Sequence, residues 1–205
     1  MPPFDLTSRS ALEEHYGKPR DIVQKKTLKR LDRHCRNFIA ASPFLVIGSS
    51  QASGPADVSP RGEAPGFVAV LDDCRLLIPD RPGNRKLDTF SNILENPHVA
   101  LIFFIPGMNE TLRVNGRARL TTDQELLAPL SAQGKAPLAG IIVEVEEAFL
   151  HCAKALMRSH LWDPGRHIER RTFPTLGTMI ADQVEGIDAE DADKGIDLSY
   201  KEKLY

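Results

Sequence analysis

The chain has 205 residues, 41% of them hydrophobic and 26% charged, with 26 basic against 28 acidic side chains and a formal net charge of -2. That length and balance suit a folded domain of medium size and exclude wholesale disorder. They supply no overall positive field for a phosphodiester backbone, so a dedicated nucleic-acid binder is excluded too.

The opening Met1-Pro2-Pro3-Phe4-Asp5 carries neither a basic region nor an apolar signal core, and the longest apolar run, Val99 to Ile105, is far below the ~20 residues that span a bilayer. A cytoplasmic protein with no membrane segment is expected. Cys35, Cys74 and Cys152 stand at no metal-ligand spacing, which points to free buried thiols and no metal. Leu28, Leu31, Cys35, Phe38 and Ile39 share one helical face, and the remainder is filled by Lys25, Lys26, Lys29, Arg30, Asp32, Arg33 and Arg36. This reads as a packing helix with a solvated basic face, ended by Ser42-Pro43.

From Phe44 onward the texture turns to short β-rich runs: residues 44–47, 56–59, 67–71, 76–78, 99–105, 111–120 and 141–149. Turn formers such as Ser53-Gly54-Pro55, Asp72-Asp73 and Pro106-Gly107 separate them. Most of these links are too short for parallel crossovers, so six to seven largely antiparallel strands with flanking helices are expected, a mainly β (α+β) barrel. One helix is predicted from about Lys86 to Leu94, stopped at Asn96-Pro97. Another starts at Thr122, where Thr122 and Glu125 form a capping-box pattern. The expected organisation is an N-terminal helical segment over 1–43, the barrel over 44–164, and a C-terminal helix with an acidic, mobile tail over 165–205.

In residues 111–120 the odd positions are polar (Thr111, Arg113, Asn115, Arg117, Arg119) and the even ones apolar or small, so one face of this strand packs and the other is cationic. Arg85-Lys86-Leu87 reads as the opening turn of the helix after the 79–84 loop. Helix-end amides with an adjacent guanidinium and ammonium form a phosphate site, and a bound anion would relieve basic side chains that oppose the helix dipole. Neither a Walker-type nor a Gly-x-Gly-x-x-Gly loop accompanies it.

The run Gly83-Asn84-Arg85-Lys86-Leu87-Asp88-Thr89-Phe90-Ser91-Asn92-Ile93-Leu94-Glu95-Asn96-Pro97-His98-Val99-Ala100-Leu101-Ile102-Phe103, followed by Arg113-Val114-Asn115-Gly116-Arg117-Ala118, resembles the pyridoxamine 5′-phosphate oxidase-like, FMN-binding split-barrel family over roughly residues 44–162. The resemblance implies a split β-barrel homodimer with FMN in clefts between subunits. It implies that Arg85 and Lys86 take the FMN phosphate, and that Ser59 and Arg61 of Asp57-Val58-Ser59-Pro60-Arg61-Gly62 face the phosphate and flavin edge. Thr111 falls where the oxidases often place a cofactor-binding Gln, with Arg113 able to share that task.

The C-terminal Arg-x-His element of the vitamin oxidases has no counterpart in residues 149–164, which resemble FMN-dependent members of the broader class. Lys154, Arg158 and Trp162 are spaced i, i+4, i+8; on a helix they share a face, suited either to a flavin or anionic substrate or to a hydrophobic seam with both cations in water. The sequence therefore reads as an FMN-dependent oxidoreductase acting on a small molecule other than pyridoxine phosphate, with NADH or NADPH as donor and no side-chain acid or base marked as catalytic. The alternatives are a flavin-binding or ligand-binding module without turnover, or a relative using a deazaflavin or haem.

Overall fold

Apolar residues alternate with polar ones along most of the stretch from Phe44 to His151, and the chain uses that period to wrap one antiparallel sheet around a single core. The computed structural model describes residues 5–18, 20–202 and 204–205. Its strands are β1 (Phe44–Ser50), β2 (Ala56–Gly62), β3 (Ala69–Asp72), β4 (Arg75–Pro79), β5 (His98–Phe104), β6 (Thr111–Thr121) and β7 (Gly140–His151). They lie in the order β2-β1-β5-β6-β7-β4-β3, and every pair is antiparallel. The sheet curls without closing, which makes it the expected split barrel.

The inner face is read off the register. Leu45 pairs with Phe103, and Phe103 with Leu112; Ile47 pairs with Leu101, and Leu101 with Val114. All six are essentially inaccessible, so these rows are the core. Helices stop its two ends. Before the barrel come α1 (Arg9–Tyr16), α2 (Asp21–Lys25) and α3 (Arg33–Ala41), and α3 sinks Cys35, Phe38 and Ile39 into the core. After β4, α4 (Asp88–Glu95) buries Thr89, Asn92 and Ile93, and the Asn92 amide donates to Ser49 Oγ at 3.0 Å. A smaller cluster of Leu77, Leu127 and Ile142 covers the outer face near β4, beneath α5 (Gln124–Leu127).

Several predicted element ends move, each for a local reason. The first packing helix begins at Arg33, not before Leu28. Asp32 caps it by accepting the Cys35 amide at 2.8 Å, and that hydrogen bond holds the Asp32 carboxyl below its usual range. Leu28 instead pairs its backbone with Ala148, along the part of β7 that β4 does not reach. The cap of α5 is Asp123, whose carboxylate accepts the Glu125 amide, rather than Thr122.

Only Cys35 is a buried thiol, pushed up to about 11 chiefly by desolvation. Cys74 and Cys152 lie exposed, one in the β3–β4 turn and one just past β7, so the expectation of three buried thiols fails for two. The C-terminal part is helical. After α6 (Lys154–Ser159), α7 (Leu176–Gln183) and α8 (Ala189–Glu202) form a hairpin in which Asp193, one of the tail's acids, accepts the Gly177 amide at 2.7 Å.

β6 and β7 carry one irregularity. Asn115 pairs with Glu147 and Gly116 with Val145, so Glu146 is an extra residue bulged out of the ladder. The backbones close up there until any Cβ on Gly116 would overlap the Glu144 carbonyl oxygen. Because that oxygen belongs to the sheet and cannot step aside, Gly116→Ala should destabilise the protein by about 3 kcal/mol, read as a lowered urea midpoint with unchanged slope.

Candidate functional site

β2 is an edge strand, and its alternate residues Asp57, Ser59 and Arg61 are half-buried while Val58 and Pro60 stand exposed. Register puts the half-buried set on the inner side: Arg61 pairs with Leu45 and Ser59 with Ile47, so both extend core rows into the split. A polar strip on the inner face of a barrel needs polar partners. It finds them on the segment leaving β4. Arg61 Nη1 donates to Asp80 Oδ1 at 3.0 Å, with only about a fifth of either side chain exposed. Next to it, Arg81 Nε donates to Glu63 Oε2 at 2.6 Å and Arg81 Nη2 to the Leu130 carbonyl at 2.6 Å. Two ion pairs thus bridge the gap that the ladder leaves open. Arg61 Nε is buried there with no hydrogen-bond partner among the described residues.

The loop 82–87 hangs from this junction. Arg85 and Leu87 both adopt left-handed backbone conformations, with φ of 61° and 57°, which costs side-chain-bearing residues about 1 kcal/mol or more each. The Asn84 side chain accepts the Lys86 amide at 3.0 Å and sets the turn. Contrary to the sequence expectation, Arg85 and Lys86 precede α4 rather than forming its first turn. Leu87 occupies the capping position, with no side-chain cap, and the first turn holds Asp88, the sign that suits the helix dipole. Lys86 reaches Asp88 Oδ2 at 2.6 Å. That hydrogen bond raises the lysine's pKa above its ordinary value, and Asp57 adds an attraction from β2. Lys86, beside the uncapped helix start, is thus within electrostatic reach of Asp57 on the inner face of β2, and the split between them is the candidate cleft.

The remaining predicted residues lie elsewhere. Thr111 and Arg113 alternate with the core residues Leu112 and Val114, so they belong to the outer sheet face, opposite Ser59 and Arg61. Arg113 stacks on Phe149, its guanidinium carbon 5.0 Å from the ring centroid. Lys154 and Arg158 are exposed on α6. Trp162 leaves their helical face because the helix ends at Ser159, with His160 left-handed at its cap, and the indole N–H donates instead to the Met108 carbonyl on the β5–β6 turn at 2.8 Å. Sequence reasoning passed over Asp57, Asp80 and Asp88. The period-two alternation with Ser59 and Arg61 was signal enough for Asp57; no local signal marked the other two.

A profile of the family described as pyridoxamine 5′-phosphate oxidase matches residues 31–152, well over half of the chain. The chain belongs to that family. No match was found among curated proteins. Solved structures that share parts of the fold include HupZ of Group A Streptococcus, at 17% identity over 58% of this chain and 92% of that one with a TM-score of 0.48. An FMN-binding protein from Syntrophomonas wolfei matches at 9% identity over 57% of this chain and 83% of that one, with a TM-score of 0.46. The FAD binding protein from Mycobacterium smegmatis matches at 14% identity over 60% and 98%, with a TM-score of 0.40. Among the described residues no helix is long and apolar enough to cross a membrane, and no group of three or more His, Cys, Asp or Glu side chains is placed to hold a metal ion.

The ion pairs at the split are nearly dry: the Arg81 and Glu63 side chains are 18% and 11% exposed. Arg81→Met leaves the Glu63 carboxylate buried without its partner and should lower stability by about 3 kcal/mol. Adding Glu63→Gln to that variant should recover part of the loss, with both measured by chemical denaturation.

Proposed function

We propose that this chain is a cytoplasmic FMN-dependent oxidoreductase whose substrate is a small molecule other than pyridoxine phosphate. The observation that carries the reading is the buried, unpartnered Nε–H of Arg61 on β2, the same strand whose Asp57 attracts Lys86 beside the uncapped start of α4. A phosphate monoester fits that donor set, since it accepts from guanidinium, ammonium and helix-end amides at once. FMN, when bound, supplies hydride and electron transfer. The chain's own part is to bind and orient: Arg61 and Arg85 present N–H donors, Lys86 exchanges Asp88 for the phosphate, and Ser59 offers a hydroxyl beside them. A reduced nicotinamide, NADH or NADPH, serves as donor in this reading.

An FMN titration tests it first. Charge-assisted hydrogen bonds contribute about 1.5 to 3 kcal/mol each, so riboflavin should bind about 100-fold more weakly than FMN. Replacing both loop cations, Arg85→Ala with Lys86→Ala, should cost a similar factor in FMN affinity and leave the melting temperature of the flavin-free protein unchanged, because both side chains are exposed. Equal affinity for FMN and riboflavin removes the phosphate cleft. With FMN bound, NADH or NADPH should bleach the flavin absorbance, while pyridoxine 5′-phosphate should give negligible turnover in an oxygen electrode.

A second subunit belongs to the same reading. The outer face of β2, β1 and β5 presents Val58 at 70% exposure and Phe44 at 38%, beside half-buried Val46, Ile102 and Phe104. An apolar strip of that kind on one sheet face suits self-association. Light scattering should give a particle of two chains, and Val58→Arg should return it to one.

A further inference from the structure

Beyond that apolar strip the outer face changes chemistry. The row that starts with Val46 on β1 and Ile102 on β5 continues to Arg113 on β6 and Phe149 on β7. Lys26, just ahead of the Leu28 bridge to Ala148, extends it. Its Nζ lies 5.9 Å from the Phe149 centroid and donates to the Leu150 carbonyl at 2.9 Å. One ring therefore carries two cations, Arg113 and Lys26.

Neither cation is neutralised. Among the described residues no carboxylate forms a salt bridge with either of them, and the Arg113 guanidinium, half-buried, makes no hydrogen bond. The carboxylate in the next row, Glu147, accepts the Asn115 amide at 3.1 Å instead. Two like charges at one ring repel, and an anion would relieve that repulsion. Stacking on Phe149 holds the planar fork in place, so little side-chain freedom is lost when an anion engages it.

We propose that Arg113, Phe149 and Lys26 form a binding site for a small organic carboxylate. Arg113 takes the carboxylate through paired N–H donors, Lys26 adds the second positive charge, and the ligand's apolar body lies beside the Phe149 ring. The site is on the opposite face of the sheet wall from the Arg61 cleft of the same chain. The binding does not rest on the function proposed above.

Benzoate is the probe, with benzamide as its neutral isostere and inorganic phosphate as an anion without an apolar body. Calorimetric titration of the full chain, with and without FMN, should show benzoate binding about tenfold or more tighter than benzamide or phosphate. Arg113→Gln and Lys26→Gln should each weaken benzoate by about tenfold, with the circular dichroism melt confirming that both variants fold. Equal binding of benzoate and benzamide overturns the proposal, as does benzoate binding that survives both substitutions together. Phosphate binding as tight as benzoate overturns the ligand class. Displacement of benzoate by FMN overturns the separation of the two sites. A protein that takes up benzoate through Arg113 and refuses FMN keeps this site and loses the flavin reading; FMN uptake without benzoate does the reverse.

Discussion

The barrel is held shut by charge where its backbone ladder stops. A closed barrel leaves no edge, but this sheet ends in β2 on one side and in β4 and β3 on the other. The junction between β2 and the end of β4 is made by Arg61 with Asp80 and Arg81 with Glu63. Ion pairs with so little exposure are worth having only when both partners are present, because removing one strands the other away from water. The split is thus both the weakest line of the sheet and the place where polar groups are obliged to gather, and the candidate cleft follows directly from that obligation.

The same constraint explains why the cleft is charge-balanced in itself. Asp57, Asp80 and Asp88 stand against Arg61, Arg85 and Lys86, so no strong field builds up there. Lys86 is held by Asp88, while the buried Nε–H of Arg61 has no acceptor among the described residues. The left-handed backbone at Arg85 and Leu87 adds conformational strain to the same loop.

Strand periodicity carried most of the architecture: all seven strands were legible from alternation and turn residues, and the two faces of β6 from parity alone. What escaped was whatever depends on partners distant in sequence. The grouping of Ser59 with Arg61 and apart from Arg113 needs the register of four strands, which no single segment encodes. Trp162 looked like a third member of a helical face only if the helix continued past Ser159, and the Met108 carbonyl that ties it down lies 54 residues upstream. Arg85 and Lys86 were assigned to a helix they only precede, because a left-handed Leu87 is not a conformation that leucine advertises.

The bulge at Glu146 sets which chemistry faces outward. Before it, Ile141, Val143 and Val145 point inward; after it, Ala148 does, so the inner positions switch from odd to even. Phe149 is on the outside only because of that one extra residue. Straightening the bulge with every residue kept would carry the aromatic ring into the barrel and turn Ala148 out, leaving Arg113 with no ring to rest on, whereas deletion of Glu146 would leave both in place. A one-residue slip of the pairing here would thus act as a substitution of the whole distal half of the strand, altering what the outer wall can recognise while the rest of the sheet keeps its order.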